Sequence, residues 1–191
     1  MEFYHIDRNQ TLYQGQQINL LTITPDSLSP MMGNGIRKML DTLSWNVSRH
    51  GERYLTTAFI TKKDPHGVRA AKIDLIFELV RQMYFPYKLS RFQAVFGFKT
   101  MEELQAYKAL KKPYNIVMLE SEKYEPHDAG WLNAYFDFVI DGKTQQAYNN
   151  SIILDYAFAY WEGRPAPTPQ VEYLLQAPVS VLGILPQEPK Y

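Results

Sequence analysis

Apolar and polar residues alternate with a period of two in several short stretches of the chain, and this alternation predicts β-strands. In the clearest stretch, residues 171–185, two runs rich in β-branched and aromatic residues are separated by Ala177-Pro178. Because proline cannot donate to a central ladder, we expect two strands with a break between them. Further strands are predicted at 3–8, 18–23, 89–98, 114–120 and 138–140.

A different spacing, three and four residues apart, predicts helices. The strongest helix begins at Asp64-Pro65, where aspartate can cap and proline suits the first position, and it ends at Phe85-Pro86. Shorter helices are predicted at 36–45, 100–110 and 144–161, whereas the polar residues 48–54 predict a loop. Thr100 and Glu103 have the spacing of a capping box at the start of one of them.

The strongest helix has one apolar and one polar side. The predicted buried stripe is Val68, Ala71, Leu75, Leu79 and Met83, and the predicted solvent-facing side is Arg69, Lys72, Asp74, Glu78 and Arg81.

Mixed strands and helices in 191 residues predict one α+β domain covering residues 1–191. The formal net charge is zero, so any contact with nucleic acid would need a local patch. The chain has no cysteine, which excludes disulfides and cysteine zinc sites, and its four histidines lack ligand spacing, so no metal is expected. The N-terminus lacks the features of a secretory signal, and no apolar run approaches the roughly 20 residues of a membrane span. We therefore expect a cytoplasmic protein without membrane contact.

Glu172 is the most informative polar residue, because it interrupts an apolar strand. The period of two puts Val171, Tyr173 and Leu175 on one face and Glu172 with Leu174 on the other. A carboxylate in this setting is either a rim residue facing water or a working group in a cleft, and the residues alone leave both open.

Other polar residues on predicted strands also have both a structural and a functional interpretation. His5 suits a half-buried histidine bonded to a backbone carbonyl as well as a ligand contact. Ser90 could be a hydroxyl at the start of a strand, and Arg91 could form an ion pair at the surface. Both could equally belong to a binding site. The chain has no Gly-rich phosphate loop, no Gly-x-Ser-x-Gly elbow and no His-Glu-x-x-His motif.

In the order of these parts, the chain resembles the ADP-ribosyltransferase superfamily of the small bacterial and phage kind. It is also similar to an uncharacterised bacterial family with a Tyr-His-x-Asp-Arg start, a Ser-Arg-Phe-Gln centre and a Tyr-Trp-x-Gly stretch. The matching segments are Tyr4-His5-Ile6-Asp7-Arg8, Ser90-Arg91-Phe92-Gln93, Tyr160-Trp161-Glu162-Gly163 and the Glu-x-Leu strand that runs from Val171 to Pro178.

The resemblance implies a split pair of β-sheets with surrounding helices and a central cleft that binds NAD as substrate. It implies that His5 bonds a ribose hydroxyl and that Glu172 bonds the nicotinamide ribose and helps to activate the acceptor. Ser90 and Arg91 would line the cleft, and Tyr54 or Phe92 would stack on the nicotinamide. A carboxylate suits this reaction because cleavage of the nicotinamide–ribose bond generates oxocarbenium character, which a negative charge stabilises.

Two departures from the superfamily narrow the expectation. There is no Ser-Thr-Ser triplet, so Ser90 is assigned by position. Gln170 stands where members that modify arginine carry an acidic residue, which favours a nucleic acid or another protein side chain as acceptor.

The resemblance also implies a role in the cell: small members of the superfamily act as toxins or phage-defence effectors, so we expect a neutralising antitoxin partner. The first alternative is a catalytically degenerate member that binds a nucleotide or protein. RNA 2′-phosphate transfer ranks last, because only Arg91, Arg8 and Arg49 could supply the basic residues it needs.

Overall fold

A computed structural model describes residues 1–28, 33–56, 65–107, 114–133 and 151–185, and it confirms an α+β protein with antiparallel strands. The strands are β1 (Glu2–Asp7), β2 (Gln17–Ile18), β3 (Leu21–Thr22), β4 (Asn46–Val47), β5 (Ala94–Gly97), β6 (Asn115–Glu120), β7 (Tyr124–Asp128), β8 (Val171–Gln176) and β9 (Val179–Leu185). The helices are α1 (Asn34–Thr42), α2 (Arg49–Leu55), α3 (Pro65–Tyr84), α4 (Met101–Ala106) and α5 (Ser151–Glu162), with a 3-10 turn at Pro25–Ser27.

The strands form two main sheets and a small β3–β4 pair. One sheet has the order β1-β6-β9-β2 and the other the order β5-β8-β7. The predicted break at Ala177-Pro178 is confirmed, and it is where the chain leaves one sheet for the other. Tyr4 and Phe98 exchange two backbone hydrogen bonds of 2.7 and 2.8 Å, which tie β1 to the end of β5. Strands β1, β5 and β8 are therefore consecutive neighbours across the junction of the two sheets.

Strand β8 is covered on both faces, which explains its apolar sequence. Leu175 packs with residues of the other sheet, including Phe3 and Val117. On the opposite face, Leu174 packs against α3 and α5 in a cluster with Phe77 and Trp161. A polar side chain on this second face, such as Glu172, is therefore enclosed by protein.

The predicted orientation of α3 is wrong in its C-terminal half. Leu79 and Met83 are 49% and 70% exposed, whereas Asp74, Glu78 and Arg81 are at most 7% exposed. Ile73, Phe77 and Val80 supply the buried apolar contacts instead. The helix can turn its charged side inward because each of these charges meets a partner of opposite sign.

Two segments differ from the prediction: a predicted loop is a helix, and a predicted strand begins later. Residues 49–55 form helix α2, for which Ser48 is the N-cap: its Oγ accepts a hydrogen bond of 3.3 Å from the Gly51 amide. Residues 89–93 lie outside β5, and residues 91–93 form a turn ahead of it, because Ser90 accepts hydrogen bonds from the amides of Phe92 and Gln93. The capping box of Thr100 and Glu103 is confirmed.

Some predictions lie outside the described residues: the cap at Asp64, the strand at 138–140 and the first residues of the helix predicted from 144. Within the described ranges, no helix has the length and apolar character needed to cross a membrane.

Candidate functional site

Glu172 lies near the start of β8, the middle strand of the three-stranded sheet, with only 5% of its surface exposed. It is therefore not a rim residue facing water. Its carboxylate points into the layer between the sheet and helices α3 and α5, where a charged group needs partners.

Two side chains provide these partners, and a third side chain binds one of the two. Arg91 Nη1 and the Tyr160 hydroxyl both donate to Oε1 of Glu172, the latter at 2.8 Å. The Tyr160 oxygen also accepts a 2.7 Å hydrogen bond from Arg91 Nη1. Arg91 Nε donates to Asp74 Oδ1 at 2.6 Å. We call Asp74, Arg91, Tyr160 and Glu172 the Glu172 cluster.

The cluster carries one more negative than positive charge when both carboxylates are ionised. Burial alone would raise the pKa of Asp74, but Arg91 and His50 outweigh burial and lower it to about 2. Burial would lower the pKa of Arg91, but Glu172, Tyr160 and Asp74 raise it well above its ordinary value. Burial raises the pKa of the Tyr160 phenol, which therefore stays neutral. Such a site stabilises positive charge on a bound group.

A second buried ion pair fixes the turn that carries Arg91. Arg81 binds Glu78 at 2.8 Å and donates to the backbone carbonyl of Lys88 at 2.9 Å. Ser90 Oγ donates to the other oxygen of Glu78 at 2.8 Å. Ser90 is 2% exposed and is thus occupied in holding the turn, while its neighbour Arg91 reaches the Glu172 cluster.

Helix α2 adds His50 and Tyr54 beside the cluster. His50 Nε2 lies 3.3 Å from Asp74 Oδ2, within ion-pair distance but without hydrogen-bond geometry. The His50 ring contacts Tyr54 and Phe96 at centroid distances of 4.3 and 4.8 Å. Burial, and after it the Asp74 charge, raises the pKa of Tyr54 to about 12. Sequence analysis missed His50, although Ser48 as a helix cap was an available signal for α2.

His5 approaches the same region from β1. Its Nδ1 donates to the Phe96 carbonyl at 2.7 Å, so the lone pair of the neutral ring is on Nε2. Burial lowers the pKa of His5, and the Phe96 carbonyl only partly offsets that effect. The Phe96 ring lies 4.8 Å from the Arg91 guanidinium carbon, so Phe96 contacts both His5 and a member of the Glu172 cluster.

Tyr107, just after α4, lies on this side of the protein too. Burial raises its pKa, and the next largest contribution is the negative charge of Glu172. Its ring packs against Phe98 at 5.6 Å, and the guanidinium carbon of Arg8 lies 5.9 Å from it. Among the described residues, the half-buried aromatic rings beside the Glu172 cluster are therefore Tyr54, Phe96 and Tyr107.

The two aromatic candidates for stacking differ in exposure. Phe92 is fully buried in the core with Leu40 and Val47, so its ring has no free face for a ligand. Tyr54 is half-buried, so part of the residue is accessible.

A separate groove of about 460 Å³ lies on the other side of the turn before β5. Its lining includes Arg81, Lys88, Ser90 and Gln93 and none of the four residues of the Glu172 cluster. Among the described residues, no three histidine, aspartate or glutamate side chains come together as ligands for a metal ion.

A family model described as "Protein of unknown function (DUF2441)" matches residues 3–187. The match covers all the residues that form the site. No curated protein matches the chain.

Proposed function

We propose that the chain, which belongs to the DUF2441 family, is an NAD-dependent mono-ADP-ribosyltransferase that transfers ADP-ribose to a nucleic acid or protein. Glu172 is the catalytic carboxylate in this proposal. We further propose that the sheets are the split pair of the ADP-ribosyltransferase fold, with NAD bound at their junction. The order β1-β5-β8 supports this, because it brings the His5, Arg91 and Glu172 segments together.

The observation that carries the proposal is the excess negative charge of the buried Glu172 cluster. The nicotinamide ring of NAD is a cation. When its bond to ribose C1′ breaks, the electron pair goes to nicotinamide, which leaves as a neutral molecule, and positive charge moves to the ribose. A unit negative charge about 5 Å away stabilises that charge by about 3 kcal/mol at an effective dielectric constant near 20.

The neighbouring side chains have roles that fit this reaction. The free lone pair on Nε2 suits His5 to accept a hydrogen bond from a ribose hydroxyl. Tyr54 is half-buried, and its aromatic ring suits stacking on nicotinamide. Arg91 holds Glu172 in place, and Ser90 holds Arg91 through the turn. The acceptor then attacks C1′ and gives its proton to Glu172.

One observation favours a second candidate, a degenerate member that binds a nucleotide or protein without catalysis. Arg91 is bonded directly to Oε1 of Glu172, and both side chains are 7% exposed. A carboxylate held in this way resembles a structural ion pair. In this second candidate the Glu172 cluster stabilises the fold and the binding surface only.

The role in the cell belongs to the proposal as well. We propose that the protein acts in the cytoplasm as a toxin or phage-defence effector and that an antitoxin protein neutralises it.

Labelled NAD distinguishes the two candidates. The parent, Glu172→Gln and Glu172→Ala are incubated with NAD labelled in the adenylate part and with cell extract, and NAD binding is measured by calorimetry. Glu162→Gln is the matched control, because Glu162 is exposed and pairs only with Arg164 among the described contacts. We expect the parent and Glu162→Gln to transfer label and both Glu172 variants to lose at least about a hundredfold in rate.

Each other outcome has a distinct meaning. NAD binding without transfer by the parent supports the degenerate candidate. Equal transfer by all variants removes Glu172 from catalysis, and absence of NAD binding overturns the NAD-dependent function. Treatment of the labelled product with nuclease or protease identifies the class of acceptor.

A further inference from the structure

We propose that Asp74 determines the specificity of the site for the cationic, oxidised nicotinamide over the neutral, reduced one. The inference rests on the proposed function, since it concerns the same site, and it assigns to one residue on α3 the charge that the proposed function attributes to the cluster as a whole.

The charge count of the Glu172 cluster is the first step. Without Asp74, Arg91 and Glu172 would form a neutral pair, and the site would have no net attraction for a cation. Asp74 is 4% exposed and bonds Arg91 Nε at 2.6 Å, on the opposite side of the guanidinium from Glu172. It therefore adds one negative charge to the cluster, and only a proton on His50, whose Nε2 lies 3.3 Å from Asp74 Oδ2, would offset it.

The hydrogen bonds of Arg91 allow the charge of residue 74 to be changed without changing the size of its side chain. Arg91 uses Nε for Asp74 and Nη1 for Glu172 and Tyr160. An asparagine at position 74 keeps the size of the side chain, and its amide oxygen can still accept from Nε. Asp74→Asn thus removes the charge and preserves the hydrogen bond.

Two arginines and a histidine face this region. Arg53, on α2, acts on Tyr54, Arg8 acts on Tyr107, and both keep their charge in every variant. A proton on His50, 3.3 Å from Asp74 Oδ2, would offset the Asp74 charge. The affinities are therefore compared at about pH 8.5, roughly two units above the ordinary pKa of a histidine.

NAD and NADH are the probes, because they differ at the nicotinamide by one positive charge. The ratio of their dissociation constants is measured by calorimetry at low salt for the parent, Asp74→Asn and the control Asp155→Asn. Asp155 is an exposed aspartate on α5. We expect Asp74→Asn to reduce the preference for NAD about tenfold, the effect of a unit charge about 10 Å away at an effective dielectric constant near 20. The loss should fall on NAD affinity, with NADH affinity and Asp155→Asn unchanged.

Asp74→Ser is a second neutral variant, which keeps the test decisive if Asp74→Asn does not fold. It removes the same charge and leaves Arg91 paired with Glu172. Its preference for NAD should also be about tenfold below that of the parent.

The outcomes separate the inference from the function on which it rests. If the parent binds NAD and prefers it, but the neutral variants at position 74 keep that preference, the inference about Asp74 is wrong, and the label-transfer assay alone decides the proposed function. If the parent binds neither nucleotide, the proposed function fails and the inference fails with it.

Discussion

The strongest test of the Glu172 cluster is the removal of its only cation. In Arg91→Met the side chain keeps a similar length but loses its charge and its hydrogen bonds to Asp74, Tyr160 and Glu172. Glu172, with a side-chain exposure of 7%, is then left without its counter-ion, and Asp74, with an exposure of 6%, keeps only His50 within ion-pair distance. Breaking a buried ion pair from one side costs about 3–5 kcal/mol, and we expect that loss in the free energy of unfolding at pH 7.

The loss should shrink in acid, because protonation removes the uncompensated charges. In the parent, the folded-state pKa of Asp74 is about 2, compared with an ordinary value of 3.8. A lowered folded-state pKa adds stability that is fully present above pH 4 and is lost as pH falls through 2. A difference of nearly two pKa units corresponds to about 2 kcal/mol. Arg91→Met lacks the part of this contribution that Arg91 supplies, so the gap between parent and variant narrows as the pH falls from about 4 to about 2.

Urea unfolding followed by tryptophan fluorescence measures the effect, since Trp161 is fully buried beside Tyr160. With a slope near 2 kcal/mol per molar urea, the midpoint should fall by about 2 M. Arg164→Met is the matched control, because Arg164 is 56% exposed and its loss should cost less than about 1 kcal/mol. A loss below about 1 kcal/mol for Arg91→Met, or one independent of pH, would refute the description of the cluster as a buried, charge-coupled unit.

Three further predictions concern the elements around the site. Gly51→Ala should destabilise the protein by about 3 kcal/mol in urea unfolding, because a Cβ there would lie 2.3 Å from the Phe92 carbonyl oxygen; an unchanged midpoint would contradict this contact. Thr100→Ala should cost about 1 kcal/mol through loss of the capping box with Glu103, whereas Thr100→Ser should cost less. His5→Gln should flatten the loss of stability on acidification below pH 6.5, because burial lowers the folded-state pKa of His5 and the unfolded chain takes up the proton first; equal slopes in parent and variant would exclude this role.

Local patterns predicted much of the fold. The break at Ala177-Pro178, the capping box at Thr100 and the end of α3 before Pro86 follow from the chemistry of a few adjacent residues, and the structure contains all three. The turn before β5 was missed because the 89–98 segment alternates as a strand does, and the hydrogen bonds of Ser90 that end this alternation are not visible in the pattern.

The inward charged face of α3 could not be predicted from periodicity. Glu78 and Arg81 pair with each other three residues apart. Asp74, however, is 17 residues from Arg91, and Arg91 is 81 residues from Glu172, so the partner that permits burial of Asp74 is distant in sequence. A helix with apolar residues on two sides can bury either one, and long-range ion pairs decide between them. Glu172 could be named as a candidate from its own strand. Asp74, which joins it only through Arg91, was assigned to solvent because Arg91 is distant in sequence from both.

Whether the cluster exists for stability or for function can be decided by replacing it whole. Buried ion pairs are weak evidence of stability, because apolar residues of similar size are often neutral or stabilising in their place. A variant with Asp74→Leu, Arg91→Met and Glu172→Leu removes all three charges and leaves the Tyr160 hydroxyl as the only polar member. If it unfolds at the same or a higher urea concentration than the parent and no longer binds NAD, stability does not explain the cluster and ligand binding does. If it is several kcal/mol less stable, the charges belong to the fold itself, and the degenerate candidate gains the support that the catalytic one loses.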